Sequence, residues 1–243
     1  ADSPFNVNAG VVGEPGMFEA LFDIAATLNE RYNLSKTERV WSNIDVPGFT
    51  RSAIPLLNKA GATALSVCAN VGSVHNPGPV EFDRGHNATM WRWHDPASDE
   101  EILVLYHMAN RDTSSKIPLT SEDNTYGGFT RPDNVIITPG GTALASFIAA
   151  DNTGPPTTVR EVKFIFDTVR ALFPNAKTVF GSTWDRFTAD ITTAEKAALP
   201  RFSSEWGDQW VSGMANDPGR LARYRAIIRA RSSCIASGAC QLR

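Results

Sequence analysis

The chain has few residues of the kinds that mark common binding functions. Its 243 residues include four histidines and three cysteines, and no two histidines stand at the close spacing of a local metal motif. No apolar run approaches the roughly 20 residues that a membrane-spanning helix needs. The formal net charge is −3, and the basic residues of segment 220–231 alternate with apolar residues at helical spacing, which favours a solvated helix face. We expect neither nucleic-acid binding nor a membrane span.

Motifs for nucleotides and for serine catalysis are also missing. Residues 138–142 read Thr-Pro-Gly-Gly-Thr, without the lysine of a phosphate-binding loop or the three-glycine spacing of a dinucleotide site. No Gly-x-Ser-x-Gly elbow occurs. With 42% hydrophobic and 20% charged residues, the composition predicts one globular domain over residues 1–243 with a substantial core.

The cysteines and two tripeptides bear on the compartment. Cys234 and Cys240 stand close together near the C-terminus, which predicts a disulfide that closes a tail over residues 232–243. Asn33 and Asn87 each begin a glycosylation acceptor tripeptide, although such tripeptides also arise by chance. Oxidation and glycosylation occur together outside the cytosol, so we expect a secreted, extracellular glycoprotein.

Segments with helical and with strand patterns alternate along the chain. The predicted helices cover residues 18–32, 52–60, 159–173, 184–191 and 218–231, and the predicted strands cover residues 38–45, 63–69, 101–107, 144–150, 177–181 and 201–205. This alternation predicts an α/β fold with parallel strands, arranged as a sheet or a barrel.

Residues 40–52 give the first candidate for a functional group. An apolar run delivers Asp45 into a Pro-Gly turn, and catalytic groups of α/β barrels lie where strands end in such turns. The alternative is that Asp45 caps the helix beginning near Ser52 or bonds the amides of its own turn. The residues alone leave both interpretations open.

Three further acids, Asp151, Glu205 and Asp208, stand at or just beyond the ends of predicted strands. The carboxyl ends of parallel strands share one face, so we expect these acids to converge with Asp45. Two carboxylates held there can act as nucleophile and general acid on a glycosidic bond. Each acid could instead be an independent turn or cap residue.

Tryptophans flank the same segments. Trp91 and Trp93 lie on either side of Arg92, while Trp206 and Trp210 flank Asp208. Indole faces stack on sugar rings, and polar neighbours complete such sites, so these residues are candidate carbohydrate-binding groups. Packing in the core is the commoner role of tryptophan and remains the alternative.

Several motifs together resemble a known family. Residues 41–52 and 179–187 resemble segments of the α-mannosidases of glycoside hydrolase family thirty-eight. The segments Asp-Val-Pro-Gly at 45–48, Asp-Asn-x-Gly-Pro-Pro at 151–156 and Glu-x-Gly-Asp-x-Trp at 205–210 are similar to those of a related group known as a domain of unknown function. The resemblance spans nearly the whole chain and implies a (β/α)7 barrel.

The resemblance also implies roles for single residues. Asp45 would be both nucleophile and zinc ligand, Asp151 the acid, and Trp41 a substrate-binding neighbour. The family takes further zinc ligands from a His-x-Asp strand, a sequence that this chain does not contain. The implied barrel is therefore incomplete, and a partner chain, self-association or a rearranged N-terminal segment would cover its open edge.

Two functions follow as expectations. The first is a mannosidase-like glycoside hydrolase domain that binds carbohydrate and holds zinc if another segment or chain completes the site. The second is a non-catalytic, secreted carbohydrate-binding or structural glycoprotein on the same scaffold.

Overall fold

A computed structural model describes residues 14–35, 39–44, 49–68, 90–106, 136–144, 158–206 and 216–240. The helices are α1 Pro15–Arg31, α2 Ile54–Lys59, α3 Val159–Leu172, α4 Trp184–Ala189, α5 Thr193–Ala198 and α6 Pro218–Ala236, with a 3₁₀ turn, Arg51–Ala53, before α2. The strands are β1 Val40–Ile44, β2 Ala64–Cys68, β3 Met90–Asp95, β4 Glu100–Tyr106, β5 Ile136–Ile137, β6 Ala143–Leu144 and β7 Arg201–Phe202.

Five of the helices confirm predicted helical segments, and each begins for a local reason. Proline occupies the first turn of α1, α2 and α6, where its missing N–H costs nothing. Helix α5 lies outside every predicted helix. Thr192 and Glu195 form a capping box at its start, and this Thr-x-x-Glu pattern was the available signal.

The main sheet is mixed, with strand order β1-β2-β4-β3-β7. Strands β1, β2 and β4 are parallel, whereas β3 pairs antiparallel with β4 and parallel with β7. The predicted α/β class with a mostly parallel sheet is confirmed. Among the described residues this sheet is open, with β1 and β7 at its edges, so the seven-stranded barrel is not confirmed.

The reversal at β3 follows from a short connection. Only residues 96–99 join β3 to β4, which is too short for the crossover that parallel neighbours require, so the two strands form a hairpin. Asp99 takes a φ of 56° in this turn, a conformation that aspartate tolerates better than most residues. The hairpin makes β3 and β7 run against the other three strands.

Two predicted strands differ from the structure, and most of a third lies outside the described residues. Residues 177–181 form no strand, and Phe180 in this segment is exposed. The strand predicted at 201–205 is reduced to the two residues of β7. At 144–150 only Leu144 is described, in the short β6 that pairs with β5. Segment 177–181 has large apolar residues only at Val179 and Phe180, and segment 201–205 only at Phe202, so such short patterns do not by themselves specify a strand.

Two clusters of buried side chains cover the two faces of the sheet. On one face, Trp41, Leu65, Trp91 and Val104 pack with residues from α1 and α2. On the other, Val40, Ala64, Leu103 and Leu105 pack with Phe187, Ile191 and Leu199 from the region of α4 and α5. Alternate residues of β1 thus enter opposite layers, as the pleat requires.

The C-terminal helix ends in the predicted disulfide. Cys234 near the end of α6 is bonded to Cys240, with 5.1 Å between their Cα atoms. Helix α6 contains no buried residue, in agreement with a solvated face. None of the described helices combines the length and apolar character that a bilayer span requires.

Candidate functional site

The strand directions change the expected arrangement of the acids. Asp45, Asp151 and Asp208 lie outside the described residues, as do Trp210 and Asn87. Ile44 is the last residue of β1, so Asp45 follows the carboxyl end of this strand in the sequence. Strand β7 runs opposite to β1, so strand direction gives no reason for Glu205 to share a sheet end with Asp45.

Three predicted sugar-binding tryptophans form one aromatic cluster inside the protein. Trp91, Trp93 and Trp206 are at most 8% exposed. The ring centre of Trp206 lies 5.7 Å from Trp91, 5.9 Å from Trp93 and 5.8 Å from Tyr106. Their faces contact other rings of the chain, so core packing explains their positions in this conformation.

Trp41 belongs to a second aromatic group. It is fully buried and stacks on Phe18 with 5.4 Å between ring centres, while Phe22 lies 4.7 Å away. Its Nε1 is buried without a hydrogen-bond partner in the described part of the chain. Trp41 therefore fixes α1 on the sheet, and its role in substrate binding stays a prediction.

Arg51 organises the polar groups around this aromatic layer. Its backbone N–H donates to Glu205 Oε1 at 2.8 Å, its Nη1 donates to the Ser203 carbonyl at 2.5 Å, and its Nε bonds Asp95 Oδ1 at 3.1 Å. These contacts join the 3₁₀ turn before α2 to the end of β3 and to the segment after β7. The partners of Arg51 are distant in the chain, so the sequence alone does not reveal them.

Asp95 is a buried carboxylate held in its ionised form. Ser98 donates to Oδ2 from its hydroxyl at 2.8 Å and from its backbone N–H at 3.1 Å. Burial acts to raise the pKa of Asp95, but the hydrogen bonds from Ser98 and Ala97 and the charge of Arg51 together lower it below its usual value. Asp95 is suited to anchoring Arg51 and the hairpin turn rather than to donating a proton.

A second ionised carboxylate, Glu195, joins α5 to the β5–β6 turn. Its Oε2 accepts from the backbone and the hydroxyl of Thr192, and its Oε1 accepts from Gly140 N–H at 2.7 Å. Hydrogen bonds from Thr192, Thr138 and Gly140 lower the pKa of Glu195 to about 2, against a smaller opposing effect of burial. This carboxylate is a structural acceptor at neutral pH.

An open groove of about 480 Å³ lies near the amino ends of β2 and β4. Its polar lining includes Asn58, Thr63, Arg92, Glu101 and Lys196. Arg92 is paired with Glu101 at 3.3 Å. The groove is lined by none of the predicted site residues and lies away from the carboxyl ends of the parallel strands, where α/β proteins usually bind ligands.

The described residues test the metal and glycosylation expectations in part. Within the described ranges, no three side chains of His, Cys, Asp or Glu come together in a group that could hold a metal ion, so these residues do not supply the expected zinc site. Asn33 is exposed in the turn after α1. A glycan could reach it there, and its attachment stays a prediction.

Sequence comparison adds no relative to these observations. No family model matches the chain, and none of the curated proteins searched matches it.

Proposed function

We propose that the chain is a mannosidase-like glycoside hydrolase domain whose site is completed by another segment or chain. The position of Asp45 carries the proposal, because this residue directly follows the carboxyl end of β1, which pairs in parallel with β2. Catalytic groups of parallel α/β proteins lie at such ends. The family-like segments at 41–52, 151–156 and 205–210 point to the same chemistry.

In the proposed reaction two carboxylates divide the work. Asp45 would attack the anomeric carbon, and Asp151 would protonate the departing oxygen, as in retaining glycosidases. Zinc, when bound at the completed site, would hold sugar hydroxyls. The barrel implied by the family would need a further strand beside β1, supplied by the chain itself or by a partner.

The second candidate is a non-catalytic, secreted carbohydrate-binding or structural glycoprotein. Its structural form is supported by the burial of Trp41, Trp91, Trp93 and Trp206, which pack in the core. The described residues also contain no group of side chains that could hold a metal ion. The confirmed disulfide is compatible with an extracellular location for either candidate.

The test is hydrolysis of an aryl α-mannoside together with bound zinc, measured on the natively expressed protein with any chain that copurifies with it. Asp45→Asn should abolish hydrolysis if Asp45 is the nucleophile. Asp23→Asn, which changes an exposed carboxylate on α1, is the matched control and should retain the activity. Protein that binds no zinc and hydrolyses no mannoside contradicts the enzyme proposal, and binding of mannose by that protein would favour the second candidate.

A further inference from the structure

A serine, a histidine and an aspartate form a continuous chain of hydrogen bonds at the turn end of the β3–β4 hairpin. Ser203 Oγ lies 3.1 Å from His94 Nδ1, and His94 Nε2 lies 3.0 Å from Asp99 Oδ1. The first distance is within the range for a nucleophile and its base, and the second is within the range for a base and the group that orients it. The three residues come from β3, from the hairpin turn and from the segment after β7, so no local sequence motif marks them.

The Asp99 carboxylate determines which nitrogen of His94 carries the proton. An ionised carboxylate only accepts hydrogen bonds, so neutral His94 must carry its hydrogen on Nε2. Nδ1 is then unprotonated, and its lone pair faces the Ser203 hydroxyl. This tautomer lets an imidazole remove the proton of a serine.

The surrounding structure holds the base still and leaves the hydroxyl within reach of solvent. His94 is 7% exposed, whereas Ser203 is half-buried. Arg51 Nη1 holds the carbonyl of Ser203 at 2.5 Å. Arg201, which pairs with Glu101 at 3.0 Å, also lies 4.0 Å from Asp99 Oδ1.

From this geometry we infer that Ser203 is a nucleophile activated by His94, and that the chain hydrolyses small carboxylic esters at this position. Ser203 Oγ bonds to the carbonyl carbon as its proton passes to His94 Nδ1. The carbon–oxygen bond to the alcohol then breaks, and the alcohol takes that proton. Water, activated by the same imidazole, releases the carboxylic acid and restores Ser203.

This activity is independent of glycoside hydrolysis. It uses only described residues, requires no metal, and involves neither Asp45 nor Asp151. Its failure would leave the proposed glycosidase untouched, and the reverse also holds.

The test treats the full chain with p-nitrophenyl acetate, follows p-nitrophenolate release and maps the acetylated residue by mass spectrometry. Ser203 should carry the acetyl group, and Ser203→Ala should remove both the adduct and the release. Ser204→Ala changes the neighbouring serine and is the matched control, which should react as the wild type does.

Variants of the other two residues test the activation itself. His94→Gln should slow acylation by about 100-fold or more, the usual contribution of a general base. Asp99→Gly should slow it by roughly 10-fold or more, because loss of an orienting partner commonly costs that much, and glycine accepts the positive φ of this position without strain. Absence of an adduct on wild-type Ser203, or acylation of folded Asp99→Gly at the wild-type rate, overturns the inference.

Discussion

Replacement of Arg51 by methionine should destabilise the protein strongly, although 29% of the Arg51 side chain is exposed. The change removes the bonds to Asp95 and to the Ser203 carbonyl. Hydrogen bonds that involve a charged group contribute about 1.5 to 3 kcal/mol each. Solvent screens part of this, and Asp95 keeps its bonds from Ser98. We expect the free energy of unfolding to fall by about 2 to 4 kcal/mol.

Urea unfolding, monitored by tryptophan fluorescence, measures this loss of unfolding free energy. Arg170→Met is the matched control, because Arg170 pairs with Asp167 at 3.0 Å on the surface of α3, and exposed pairs of this kind contribute below about 0.5 kcal/mol. In an Asp95→Asn background, Arg51→Met should cost about 1 kcal/mol less than in the wild type. If Arg51→Met lowers the free energy of unfolding no more than Arg170→Met does, Arg51 does not hold these segments together.

Three smaller predictions concern other described contacts. The pKa of Glu195 is lowered from 4.5 to about 2. The stability that Glu195 contributes is therefore complete above about pH 4.5 and is lost as the pH falls towards 2. Unfolding measured across this pH range should show that Glu195→Gln is less pH-dependent than the wild type. Gly140→Ala should lower stability by about 0.5 to 1.5 kcal/mol, because the new methyl group would displace the Glu195 carboxylate from its hydrogen bond with the Gly140 N–H. Gly16→Ala in α1 meets nothing within 4 Å and should not lower stability. Thermal melts compare the two variants. Trp93→Phe should cost about 1 kcal/mol more than Trp41→Phe in urea unfolding. Of these two tryptophans, Trp93 donates its indole N–H to the Ser204 carbonyl at 2.9 Å, whereas the Trp41 N–H has no partner among the described residues. Equal losses would contradict this assignment.

The elements with strong local signals could be predicted from the sequence. Proline at the first turn and apolar residues at helical spacing mark α1, and short, mostly apolar segments mark β1 and β2. The disulfide followed from the short separation of Cys234 and Cys240. In each case the information lies within the segment itself or between residues close in the chain.

The features that could not be predicted depend on distant partners. Trp91 packs on Trp206, which lies more than 100 residues later in the chain. The same distant segment bonds Trp93, because Ser204 accepts from the Trp93 indole across 111 positions. The sequence near Trp91 therefore does not reveal that its ring packs in the core. The orientation of β7 depends on its pairing with β3, and a strand of two residues carries no signal for direction. Arg51 likewise shows its role only when Asp95 and Ser203 stand beside it.

The long connection from the hairpin to β7 also orders events during folding. Strands β3 and β4 close a turn of four residues, while Trp93 and Ser204 are 111 positions apart. Loop-closure entropy grows with the logarithm of length, so the second closure costs about 3 kcal/mol more. The hairpin should therefore form early, and the segment carrying Ser203 and Glu205 should dock late. In a refolding experiment, any chemistry at Ser203 would return only after this final closure.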